Sequence, residues 1–185
     1  MLKLFVRSRT FRMTCTLRLI QRLAGRGGLA RVALLPARIA HRYTSGRGAA
    51  DLPAATRIGP GLAIQHGWGL VVSPGATIGA NVTLFHGVTI GQADSIAPDG
   101  TRTTRYPVIE DEVWIGPNAV VTGGVRVGRG SRILAGALVT HDVPAHSIVL
   151  GNPSEVVKSG CLPDVVNPVD LTLFSYEAPA ETPVG

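Results

Sequence analysis

Branched aliphatic residues recur every six positions through the middle of this chain, and the rhythm breaks at a histidine. Ile58 and Ile64 open the series, followed by Val72, Ile78, Leu84 and Ile90. After an interruption it resumes at Ile109, Ile115, Val121, Val127, Ile133 and Val139. Within each run the step is six residues, except from Ile64 to Val72, which is eight and contains His66-Gly67-Trp68-Gly69. A period of six is neither the helical 3.6 nor the strand 2, so it belongs to a repeat architecture. A hexad such as Ile78-Gly79-Ala80-Asn81-Val82-Thr83 gives a short parallel strand and a tight turn. Its aliphatic residue points into a lumen, and the glycine after it supplies turn backbone. Stacked coils of this kind pair strand on strand about 4.8 Å apart. The expectation is an all-β parallel β-helix.

Composition agrees with a narrow interior. Aromatic residues make up 5% of the 185 positions and glycine takes 23 of them, so the lumen must be filled by small and branched aliphatic side chains. Charge divides the chain. Residues 1–50 carry eleven Lys or Arg and no acid, whereas residues 51–185 carry seven against twelve acids. The basic first segment has apolar residues at mixed helical spacing, broken by Gly25, Gly27, Gly28 and Pro36, which predicts helices over Thr14–Ala24 and Leu29–Tyr43. Two uses fit it. It can bind a membrane surface or polyanion, or form a helical collar on its own domain or a neighbouring subunit with its arginines solvated.

Three regions are therefore expected: a basic helical arm over 1–50, the β-helix over 51–158, and an irregular, partly disordered tail over 159–185 rich in proline. Residues 92–106 hold no hexad and are expected to loop out of one coil. No run of 18 apolar residues occurs, and Leu2 to Val6 is too short for a signal-peptide core. Cys15 and Cys161 are far apart without metal-type spacing, which suggests free thiols. These features predict a cytoplasmic protein with its arm available to the inner face of the membrane, and nothing in them suggests nucleic-acid binding.

The hexads, the segment Ile64-Gln65-His66-Gly67-Trp68-Gly69-Leu70-Val71-Val72, and Val143-Pro144 leading to Gly151-Asn152-Pro153 resemble the left-handed β-helix acyltransferases. The stretch from Asp51 to His66 most resembles the bacterial serine acetyltransferases, possession of which spacing is more specific than the hexads alone. The resemblance spans about residues 51–158. It implies a left-handed parallel β-helix, a homotrimer, acetyl-CoA as co-substrate, no metal, and a small hydroxyl-bearing acceptor.

The resemblance also assigns roles. An alcohol is a poor nucleophile at neutral pH, so its proton must leave as it attacks the thioester carbonyl. Neutral imidazole suits that task, and a carboxylate on its other nitrogen fixes the tautomer. These roles fall to His66 and Asp51. No cysteine lies near them, which favours direct transfer in a ternary complex over a covalent enzyme intermediate. Gln65, His86, Arg105 and Tyr106 are expected at the acceptor. Gln65 stands where the family has an acid facing the serine amine, and Arg105-Tyr106-Pro107 replaces a family Arg-His-Pro that helps bind the carboxylate. Arginine can still grip a carboxylate. Gly91, Gly116, Pro117, Ala135 and Gly136 are expected along the pantetheine arm, with Arg132 and Lys158 at the phosphates.

Three alternatives stay open. Related exopolysaccharide enzymes acetylate sugars and also lack a long helical domain ahead of the β-helix. Some left-handed β-helices are zinc hydratases using three histidines, and His141 and His146 have a metal-compatible spacing although Pro144 lies between them. The third alternative is a non-catalytic scaffold.

Overall fold

The computed structural model describes residues 5, 7–24 and 26–179. Two antiparallel-packed helices, α1 (Arg9–Ala24) and α2 (Leu29–Arg47), precede sixteen short strands. Both helices outrun their expected bounds. Ser8 accepts a hydrogen bond from the Phe11 amide at 3.2 Å, so α1 starts at a serine cap ahead of Thr14. α2 continues past Tyr43 until the Gly48 amide closes on the Ser45 and Thr44 carbonyls.

From Arg57 to Val139 the chain winds through three sheets in rotation, interrupted once by a hairpin. One holds β1 (Arg57–Ile58), β4 (Thr77–Ile78), β9 (Val108–Ile109) and β12 (Arg126–Val127). The second holds β2 (Ala63–Ile64), β5 (Thr83–Leu84), β10 (Trp114–Ile115), β13 (Arg132–Ile133), β15 (Ile148–Leu150) and β16 (Glu155–Lys158). The third holds β3 (Val71–Val72), β6 (Thr89–Gly91), β11 (Val120–Thr122) and β14 (Leu138–Val139). Within these three sheets all pairs are parallel except β15 with β16.

The hexad residues become three ladders facing a closed interior. Ile58, Ile78, Ile109 and Val127 align on the first sheet; Ile64, Leu84, Ile115, Ile133 and Val149 on the second; Val72, Ile90, Val121 and Val139 on the third. A second inward position, two residues before each of these, is also sealed: Val82, Val88, Val113, Ala119 and Ala137 are fully buried. Buried methyls at two positions per hexad supply most of the apolar burial that holds so thin a body together.

The open first coil is capped by the arm. Met13, Leu17 and Leu52 join the lumen cluster with Leu62 and Ile64. Arg18 donates to the Ile58 carbonyl at 2.6 Å and to the Gly59 carbonyl, and Gln21 donates to the Thr56 carbonyl at 3.1 Å. Those carbonyls have no coil below them, and the helix provides their donors. Burial lowers the Arg18 pKa from its ordinary value. This arginine is therefore a structural clamp and not one of the solvated or polyanion-facing arginines. His41 is buried between α2 and the coil, with Nε2 against the Leu52 carbonyl at 2.8 Å and Nδ1 against Thr16 Oγ1 at 3.0 Å. A carbonyl can only accept, so Nε2 carries the proton in this arrangement.

Residues 92–106, expected as a loop, form an antiparallel hairpin of β7 (Ala93–Ile96) and β8 (Arg102–Arg105). Its turn is Asp99-Gly100, with Gly100 at φ +84° and Asp99 accepting from the Thr101 amide at 2.9 Å. The segment after β16 has little regular structure but runs back along the corner between the first and second sheets. Asn81 exchanges two hydrogen bonds with the Val169 backbone, and Tyr176 donates to Asp111 while accepting from the Ala80 amide. Burial first, then the Asp111 carboxylate, raises the Tyr176 pKa far above the ordinary phenol value, so it stays a donor.

Candidate active site

The corner between the second and third sheets has a regular build, and His66 is where it departs. At this corner Gly69, Gly87, Asn118 and Gly136 each take a left-handed conformation, with φ of +69°, +68°, +58° and +71°. Successive corners are joined by backbone hydrogen bonds: Gly87 N to Trp68 O at 2.7 Å, Asn118 N to His86 O at 3.0 Å, and Gly136 N to Pro117 O at 2.9 Å. The two additional residues of the eight-residue step emerge as His66 and Gly67, themselves left-handed at φ +66° and +72°. The Gly67 amide closes on the Gln65 carbonyl at 2.8 Å, which makes a γ-turn centred on His66. A positive-φ γ-turn on a residue with a Cβ is strained, by about 1–3 kcal/mol, and strain of this kind gathers at functional sites.

Gly67 is required by packing as well as by φ. A Cβ there would lie 2.9 Å from Thr10 Cγ2 of α1. The arm therefore seats directly on the bulge. Arg9 places its guanidinium 3.9 Å over the half-exposed Trp68 ring, two residues from His66. Neither Arg9 nor Trp68 was singled out by the sequence, although Trp68 stands inside the irregular step.

The imidazole of His66 is exposed and meets His86 of the next coil edge-on, with ring centroids 5.9 Å apart and planes at 72°. His86 Nδ1 is buried and has no hydrogen-bond partner among the described residues. A buried ring nitrogen without a partner is costly unless something satisfies it. Asp51 pairs by its backbone with Val71, the strand that follows the bulge. Its carboxylate is exposed and makes no hydrogen bond to His66 within the single chain.

The expected acceptor residues divide between two corners. Gln65, His66 and His86 occupy the corner just described. Arg105 and Tyr106 end the hairpin at the corner between the third and first sheets. There the Tyr106 ring lies against Gly75 and Arg105 against Gly124, so closely that a Cβ on either glycine would clash. The whole width of the third sheet separates the pairs. One chain does not bring them together.

The expected coenzyme residues divide likewise. Gly116, Pro117, Ala135 and Gly136 continue the His66 corner upward, coil on coil. Gly91 sits across the third sheet beside Thr122. Arg132 stacks 5.1 Å over Trp114, which also contacts Phe85, and pairs with Asp164 of the tail at 3.0 Å. Lys158 is exposed on β16. At the two remaining histidines, His141 is exposed and His146 Nδ1 faces the Cys161 carbonyl at 3.3 Å. Among the described residues, no three His, Cys, Asp or Glu side chains converge in a geometry that could hold a metal ion.

With this geometry in view, comparison with known proteins places the chain. A family model described as bacterial transferase hexapeptide (six repeats) matches residues 106–141. A serine acetyltransferase of Bacillus subtilis (strain 168) is 44% identical over 105 residues, 57% of this chain and 46% of that protein. Serine acetyltransferase 4 of Arabidopsis thaliana is 38% identical over 107 residues, 58% of this chain and 29% of that protein. Among solved structures, the soybean serine acetyltransferase apoenzyme superposes with a TM-score of 0.68 at 30% identity, covering 83% of this chain and 60% of that one. The Neisseria gonorrhoeae serine acetyltransferase in complex with serine gives 0.68 at 32%, covering 84% and 60%. The chain thus spans less than half the length of these two curated relatives. The chain carries hexapeptide repeats and shares the left-handed parallel β-helix fold of the solved serine acetyltransferases.

Proposed function

We propose that this chain transfers an acetyl group from acetyl-CoA to the hydroxyl of a small acceptor, with His66 as general base. The observation that carries the reading is the strained γ-turn that presents His66 at the foot of a backbone ladder. The acceptor hydroxyl gives its proton to the imidazole while its oxygen attacks the thioester carbonyl. The carbon–sulfur bond then breaks, and the imidazolium returns the proton to the departing thiolate. Asp51 orients the ring once substrate closes the site. Pantetheine lies along Gly116, Pro117, Ala135 and Gly136, and its phosphates meet Lys158 and Arg132, the latter exchanging Asp164 for phosphate.

The site is completed between subunits of a homotrimer. Arg105 and Tyr106 stand a full sheet away from His66 in one chain, and cyclic assembly sets one chain's corner against a different corner of the next. Mixing two inactive variants tests this. His66→Ala and Arg105→Ala proteins, unfolded together and refolded, are expected to regain activity that neither shows alone. Continued inactivity of the mixture, with trimers formed, would mean that the two residues do not share a site across the subunit boundary.

Serine is the acceptor named for the relatives, and it is the first reading for this chain. A sugar, free or nucleotide-linked, is the second. Gln65 supports it, because an amide cannot supply the negative charge that an amino-acid ammonium group calls for. Acetyl-CoA turnover with serine, homoserine and nucleotide sugars separates the two. Serine is the acceptor if it alone is acetylated, and a sugar is if serine stays unchanged while a nucleotide sugar gains acetyl.

A further inference from the structure

Among the described residues no other element packs on the outer face of α2, where Tyr43 is met by Arg47 of the same helix. Leu29, Val32, Leu35, Ile39 and Tyr43 are between 61% and 87% exposed. At 100° per residue they fall within about 120° of arc, a continuous apolar stripe. The opposite face, Ala37, His41 and Ser45, is buried on α1 and the first coil. Arg31, Arg38 and Arg42 form an exposed row along one edge of the stripe. Patches of this kind mark interaction surfaces.

We propose that α2 lies in the headgroup region of an anionic lipid bilayer, with the stripe inserted and the arginine row at the phosphates. Charge selects this occupant over a second copy. Residues 1–50 hold eleven basic residues and no acid, so two arms packed stripe to stripe would set arginine rows together without counter-charge. Four carboxylates of the β-helix, Glu110, Glu112, Asp94 and Asp164, already pair with Arg126, Arg129, Arg102 and Arg132. An anionic bilayer offers a continuous negative surface that meets the whole arginine row at once. No helix among the described residues is long and apolar enough to cross a membrane, so the contact is interfacial.

Co-sedimentation of the full chain with phosphatidylcholine vesicles, with and without phosphatidylglycerol, tests this. Binding is expected to the anionic vesicles, to weaken as salt rises, and to be slight on phosphatidylcholine alone. Arg38→Gln with Arg42→Gln should lower partitioning roughly fivefold per arginine. Val32→Asp with Ile39→Asp should abolish it, and circular dichroism should be unchanged because both side chains are exposed. The proposal is overturned if the chain stays in the supernatant with anionic vesicles. It is equally overturned if binding survives both double variants, or if the aspartate pair instead lowers the particle mass in solution, which would make the stripe a contact between copies.

Discussion

Replacing His66 by alanine is expected to lower acetyl transfer by about 10²–10⁴, the usual contribution of a positioned base. The fold should be indifferent to the change, since the ring is exposed and meets the edge of His86. His66→Gly sharpens the point. Glycine takes φ +66° without strain, so that variant should match or exceed the parent's denaturation midpoint while losing activity to the same degree. Loss of activity with retained or greater stability is the mark of a residue held in place for chemistry. A structural turn histidine would show the reverse.

The second large effect lies in the lumen. Ile115 is fully buried at the middle of the ladder formed by Ile64, Leu84, Ile133 and Val149. Ile115→Ala removes methyl groups that neighbouring coils cannot collapse to replace, and should cost about 2–5 kcal/mol in chemical denaturation. Ile115→Val should cost about 0.5–1.5 kcal/mol. Because every coil pairs only with its neighbours, a gap here separates the lower coils from the upper ones. A cost near zero for the alanine variant would mean that the ladder is not the core.

Much of this was legible in the sequence, for a definite reason. In a β-helix one hexad makes one strand and one turn, so the inward residue repeats in the sequence as regularly as in space, and Ile58 to Val139 are readable as lumen-facing from the sequence alone. The second inward position was missed because Ala, Val and Leu share it, so that Ala76, Ala119 and Ala137 blur the period. The hairpin at 93–105 was expected only as a loop. Asp99-Gly100 is a strong turn signal, but its strands are short, exposed and polar and show no apolar alternation. The tail's course rests on Tyr176 and Asn81 meeting partners far away in sequence, which no local pattern announces.

The candidate site was legible in its parts. The eight-residue step located His66, and the structure turns that irregularity into a γ-turn with Gly67 fitted against Thr10. Arg105 and Tyr106 are expected at the same acceptor and lie at another corner of the chain, so that meeting His66 requires a neighbouring subunit. Arg18 was counted with the solvated charges of the arm and proves to cap the first coil. A helix laid across the open end of a β-helix must supply donors for its carbonyls, and that need is visible only once both elements are placed.

The central claim is that His66 is the base in an acetyl transfer, and thiol release from acetyl-CoA tests it most directly. Purified protein, His66→Ala and His66→Gly are each given acetyl-CoA with the acceptor panel, and free thiol is followed against time. Acceptor-dependent release is expected from the parent chain, with a loss of about 10²–10⁴ in both variants. Equal rates in parent and variants would contradict it.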